Sequence, residues 1–146
     1  MPHLTFPTTA DGPTLEVVVS LAGHQLAALQ QAGAPFPRAL PLRGLIDTGT
    51  DVTAIAPRVV QQLGLISRLR ASTQTAAGQV KVNLYEVSLT IAGPKVAAGP
   101  ILVRPTLLVT ELAVPLSNLE ILVGRDVLDE CLFGLDGPGG SFLLGF

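Results

Sequence analysis

The segment Leu45-Ile46-Asp47-Thr48-Gly49-Thr50-Asp51-Val52-Thr53-Ala54-Ile55 places a carboxylate at the end of an apolar run. Leu42, Leu45 and Ile46 make the approach to Asp47 read as a buried strand. Gly49 lets the backbone turn sharply, and the hydroxyls of Thr48 and Thr50 flank the acid. Asp-Thr-Gly alone serves as an ordinary turn or helix cap in many chains. An acid that leaves a buried strand among hydroxyl groups is instead hydrogen-bonded and aimed at a cleft. Residues 52–55 are strand-like again. After them PRVVQQLG (57–64) has proline in its first turn and glycine at its end, the marks of a two-turn helix.

Upstream, Leu15-Glu16-Val17-Val18-Val19 is short, largely β-branched and strand-like. Residues 24–32 place Leu26 and Leu29 three apart ahead of Gly33 and read as a short helix. Pro35, Pro37 and Pro41 then force an extended connection into the strand at 42–47. Downstream, the small polar stretch 72–78 and the alternating stretch QVKVNLYEVSLTI (79–91) pair as a hairpin with its tip at Ala76-Ala77-Gly78. Strands are expected at 101–104 and 106–110, split by Pro105, and at 120–123. Residues 125–131 have helical spacing at Val127, Leu128 and Cys131. A last hairpin is expected from 132–135 and 141–144 around Gly137-Pro138-Gly139-Gly140. Residues 1–13, with Pro2, Pro7 and Gly12-Pro13, read as an N-terminal arm or a loosely held first strand, and residues 14–146 as a single domain.

The chain has 146 residues, enough for one ordinary domain. Charged residues are 14% of it, against roughly 25% in typical soluble domains, so surface charge is scarce. With 15 Gly, 12 Pro and few aromatics, turns are many; a helix bundle is disfavoured and an all-β fold favoured. A net charge of −2 offers no basic footprint for a phosphate backbone, so nucleic acid is not an expected partner. The single Cys131 excludes an intrachain disulfide, and with the distant His3 and His24 it makes no local zinc site. Residues 1–7 lack the pattern of a secretory signal. The uncharged stretch 17–37 is broken by His24, Gln25, Gln30, Gln31 and Pro35, which makes a poor membrane span. A soluble, cytoplasmic protein without a membrane partner is the expectation.

No GxxxxGK, GxGxxG, GxSxG or HExxH motif occurs. Gly137 to Gly140 reads as a turn between apolar strands, His24 as a solvated helix residue, and Cys131 as a buried, inert thiol.

Three spaced motifs resemble the retropepsin family of single-domain aspartic proteases. LIDTGTDVTAI (45–55) is similar to its catalytic loop, AAGQVKVNLYEV (76–87) to its flap tip and returning strand, and ILVGRDVL (121–128) to its Gly-Arg-(Asn/Asp) helix entry. The connection at 24–41 is longer than in compact members of the family, and the terminal strands match by position. The resemblance implies a closed β-barrel of the acid-protease type, with a flap hairpin and one to three short helices. It implies an aspartic endopeptidase that needs no cofactor or metal and acts on peptides or proteins as a homodimer. Each subunit then supplies one catalytic Asp47.

By the same resemblance, Thr48 locks the two loops across the dimer axis and Gly49 lends its carbonyl to the substrate backbone. Asp51 hydrogen-bonds the substrate or pairs with Arg125, while Gly124 and Arg125 support the loop. Ala76, Ala77 and Gly78 close over the peptide. Thr50 departs from the resemblance, standing where many retroviral members carry Ala, and its hydroxyl can donate to the Asp47 carboxylate. Val52, Ala54, Leu119 and Leu122 line apolar pockets or, equally well, pack the core. Two other readings stay open: a non-catalytic dimerising or peptide-binding module with the same fold, and an unrelated β-barrel with an accidental Asp-Thr-Gly.

Overall fold

Alternation decides the strands. In β2 (Thr14–Leu21) the side chains of Leu15, Val17, Val19 and Leu21 are buried, and in β6 (Gly78–Ala92) those of Tyr85, Val87, Leu89 and Ile91 are buried, the period of two that a sheet with one buried face requires. The computed structural model describes residues 1–94 and 99–146. Its remaining strands are β1 (His3–Pro7), β3 (Leu40–Ile46), β4 (Ala54–Ile55), β5 (Leu69–Thr75), β7 (Ile101–Glu111), β8 (Ile121–Val123), β9 (Leu132–Asp136) and β10 (Ser141–Gly145). Three short helices accompany them: α1 (Gly23–Gln31), α2 (Pro57–Leu63) and α3 (Arg125–Leu128).

Six strands close a barrel in the order β2-β3-β8-β4-β7-β6, sealed by antiparallel pairing of β2 with β6 from Val18↔Thr90 to Leu21↔Val87. Its interior holds Val17, Val19, Ile55, Val87, Leu89, Val109, Ile121 and Val123, all fully buried. β5 lies outside the ring and pairs only with β6, so the β5–β6 hairpin projects as a flap whose last pair is Thr75↔Gly78. Gly78 has φ +115°, a conformation that strains any residue with a side chain, which places this glycine at the turn. The all-β barrel with a flap hairpin and short helices is thus observed.

The structure changes several boundaries. Strands 101–104 and 106–110 are one strand: Val87 pairs with Leu107 and Leu89 with Arg104, so Pro105 and Thr106 together face Ser88. This bulge accommodates a residue that has no N–H to give to the ladder. The helix expected over 125–131 is a single turn, and the strand over 52–55 is only two residues long. The N-terminal segment is not a free arm. β1 pairs with β10 from His3↔Gly145 to Pro7↔Ser141, and β10 pairs with β9 to make a second, three-stranded sheet. Leu4 and Phe6 are buried there with Phe142 and Leu144, and Phe6 stacks on Phe142 with ring centroids 5.1 Å apart. Among the described residues no helix is long and apolar enough to cross a membrane.

Candidate active site

β3 delivers Asp47 to the end of a strand that pairs in parallel with β8, and the Asp47 N–H donates to the Val123 carbonyl at 2.9 Å. The chain then folds back on its own carboxylate. Oδ1 accepts the Gly49 N–H at 2.9 Å and Oδ2 accepts the Thr50 hydroxyl at 2.6 Å. Each carboxylate oxygen is therefore fixed by one donor from the same turn, and Asp47 is half-buried. Thr48, Gly49, Asp51 and Val52 are exposed. The Thr48 hydroxyl has no hydrogen-bond partner within the chain among the described residues.

The loop is clamped from the other side by the β8–α3 junction. The Arg125 N–H donates to the Thr50 carbonyl at 2.8 Å, the Asp126 N–H to the Asp51 carbonyl at 3.2 Å, and the Arg125 guanidinium pairs with the Asp51 carboxylate. Of the two expectations for Asp51, the ion pair is the one observed. Buried Thr53 is the centre of the clamp: its hydroxyl donates to Asp126 Oδ1 at 2.7 Å and accepts the Gly124 N–H at 3.0 Å, while its own N–H donates to Asp126 Oδ2 at 2.9 Å. Arg104 braces α3 from β7 through the Asp126 carbonyl at 3.2 Å and the Glu130 carboxylate at 3.0 Å. Thr53, Asp126 and Arg104 were given no role on sequence grounds. For Asp126 the signal was its place in the Gly-Arg-Asp motif, whereas nothing in the sequence links Arg104 to the loop.

Strand register adds a row of side chains. Leu45, Leu122, Ala54, Thr110, Leu84 and Leu69 are successive cross-strand partners, so they share one face that runs from the catalytic loop to the flap. Leu122 is half-buried, Ala54 buried and Leu69 exposed, a graded apolar wall. Val52 stands in the loop and is exposed, which removes it from the core. Thr110, Leu84 and Leu69 were not identified from the sequence, since their common face follows from pairing alone. Ala76 and Ala77 are exposed at the hairpin tip, and Gly78 is half-buried there.

Further from the loop, Tyr85 donates to Glu111 Oε1 at 2.7 Å, and burial together with that carboxylate raises its phenol above the ordinary value. Desolvation likewise raises the Cys131 thiol, although its side chain is half-buried rather than buried as expected. His24 is an exposed residue of α1, as expected, and its Nε2 sits 3.2 Å from the Glu86 carboxylate. Among the described residues no three His, Cys, Asp or Glu side chains converge as metal ligands would. Among the described residues, concavities of about 370–530 Å³ open between β2 and β3, beside α2 and beside α1, away from Asp47. The carboxylate is half-buried in a loop whose Thr48, Gly49, Asp51 and Val52 are exposed.

A family model described as aspartyl protease matches residues 38–136. Among solved structures, the chain is similar to a retropepsin-like aspartic protease from Rickettsia conorii, with a TM-score of 0.62 and 16% identity over 97% of this chain and 89% of that one. No curated protein sequence matches at a significant level.

Proposed function

Because the chain belongs to the aspartyl protease family, we propose that it is an endopeptidase whose active site forms between two copies, each contributing Asp47. Hydrolysis by carboxylates needs one group to take a proton from water and another to hold a proton against the substrate carbonyl. Two carboxylates a few ångströms apart cannot both ionise easily, so the pair shares one proton; aspartic proteases are the standard illustration of this. One Asp47 removes a proton from the water as its oxygen attacks the carbonyl carbon. The other donates its proton to the carbonyl oxygen. Collapse of the tetrahedral intermediate then passes a proton to the departing amine.

The observation that carries this reading is the state of Asp47: both oxygens are held by Gly49 and Thr50 in a loop whose Thr48 and Gly49 are exposed. The free Thr48 hydroxyl suits a contact across the two-fold axis, and the row Leu122, Ala54, Leu84 and Leu69 suits apolar side chains of an extended peptide under the flap.

The test is cleavage of a peptide library by the wild type and by Asp47→Asn, with mass in solution measured alongside. Cleavage by the wild-type dimer and its loss, by a factor of at least about 10³, in the variant is expected for an essential catalytic group. Equal cleavage by both overturns the proposal. Peptide binding without cleavage by either assigns the chain to the non-catalytic binding module instead.

A further inference from the structure

The inner face of β7 carries a cation. Directly opposed residues of paired strands share a face, and Leu102, Leu107 and Val109 oppose Ile91, Val87 and Tyr85, all of them buried. Arg104 occupies the same face, opposite the fully buried Leu89, and its side chain is only 22% exposed. The bulge at Pro105 and Thr106 reverses the alternation, so Leu102 and Arg104 before it and Leu107 and Val109 after it lie on one side of the strand.

For packing alone, an apolar side chain would serve at this position. A guanidinium loses hydration when it is buried, and replacing such a group with an apolar one of similar volume is often neutral or stabilising. The Arg104 guanidinium donates to the Asp126 carbonyl at 3.2 Å and meets the Glu130 carboxylate at 3.0 Å. Glu130 is 64% exposed, and an ion pair with so solvated a partner contributes little to stability.

The contact with Asp126 fixes α3. Four residues form too short a helix to hold itself, and no side chain caps this one. Its buried Val127 and Leu128 attach it through apolar contacts, which are non-directional. A hydrogen bond to the Asp126 carbonyl sets the orientation of that peptide as well. Asp126 is also where α3 grips the catalytic loop, with its N–H on the Asp51 carbonyl and its carboxylate on the Thr53 N–H and hydroxyl. One residue earlier, the Arg125 N–H holds the Thr50 carbonyl, and the Thr50 hydroxyl donates to Asp47 Oδ2.

We propose that Arg104 is a positioning residue for peptide hydrolysis: by holding the Asp126 carbonyl it sets the angle of α3, and through Asp126 and Arg125 it fixes the loop that aims Asp47. This rests on the endopeptidase reading of Asp47. Arg104 touches no reacting atom. A misplacement of about 1 Å, even one caused far from the chemistry, can cost about 100-fold in rate.

The experiment compares Arg104→Met and Arg104→Lys with the wild type. It measures kcat and KM on a peptide that the wild type cleaves, the melting temperature, and amide hydrogen exchange at Arg125 and Asp126. Arg104→Met, which keeps an apolar stem on an apolar face, is expected to lower kcat by about 10- to 100-fold with KM within about twofold. Its melting temperature is expected to stay the same or rise. Exchange is expected to quicken at Arg125 and Asp126 but not in β2 or β6. Arg104→Lys, which can still donate to the carbonyl, is expected to recover most of the rate. A fall in kcat no larger than the unfolded fraction explains, or unchanged exchange at Arg125 and Asp126, overturns the positioning role and leaves the endopeptidase reading intact. A wild type that cleaves no peptide, with exchange at those amides still quickened by Arg104→Met, overturns the endopeptidase reading while the hold of Arg104 on the loop stands.

Discussion

At Gly124 there is no room for a side chain. A Cβ there would lie 2.8 Å from the Thr50 carbonyl oxygen and 3.1 Å from the Thr53 nitrogen, both backbone atoms of the catalytic loop. This close approach lets the Gly124 N–H reach the Thr53 hydroxyl at 3.0 Å. Gly124→Ala is accordingly expected to destabilise the fold by about 1–3 kcal/mol through overpacking, read as a lower denaturant midpoint. It is also expected to cost more activity than the unfolded fraction explains, because the displaced atoms carry Thr50. An unchanged midpoint would show that the loop and the helix entry do not press on one another. Asp47, Thr50 and Arg125 were legible as local motif residues. The Thr53–Asp126 pair, 73 residues apart, was not, because a hydrogen bond between distant segments has no spacing to read.

At the scale of elements, hydrophobic alternation and turn residues located nearly every strand, and proline misled once. Pro105 reads as a strand break, yet β7 continues through it by bulging against Ser88. The bond between Tyr85 and Glu111 ties β6, which continues into the flap, to β7. Because the folded phenol sits above 10.0, the unfolded chain loses its phenolic proton first as pH rises. The contribution to stability is whole below pH 10.0 and shrinks from there upward as pH approaches the folded value. Tyr85→Phe is expected to cost about 1 kcal/mol at neutral pH for the lost hydrogen bond and to flatten the decline above pH 10. Denaturant midpoints across the alkaline range check this, in a Cys131→Ser background because that thiol is raised as well. An equally steep decline in both proteins would assign the alkaline loss elsewhere.

At the scale of the molecule, the barrel closes between β2 and β6, and the terminal sheet adds a second layer of core. Removing residues 1–7 uncovers Phe142 and Leu144 and discards Leu4 and Phe6, which are 5% and 6% exposed. Two such side chains predict a loss of about 3–6 kcal/mol, visible as a lower melting temperature. A dispensable arm would leave the melting temperature where it was, and that result would remove β1 from the core. By itself, the sequence determined the strand-rich fold, the Asp47 turn and the flap hairpin, because alternation, glycine placement and hydroxyl spacing act within a few residues along the chain. Barrel closure, the Thr53–Asp126 clamp, the apolar row from Leu122 to Leu69 and the pairing of β1 with β10 were decided only in the tertiary structure. Each depends on strand register between segments far apart in sequence, and a one-residue slip would turn every one of those side chains to the opposite face.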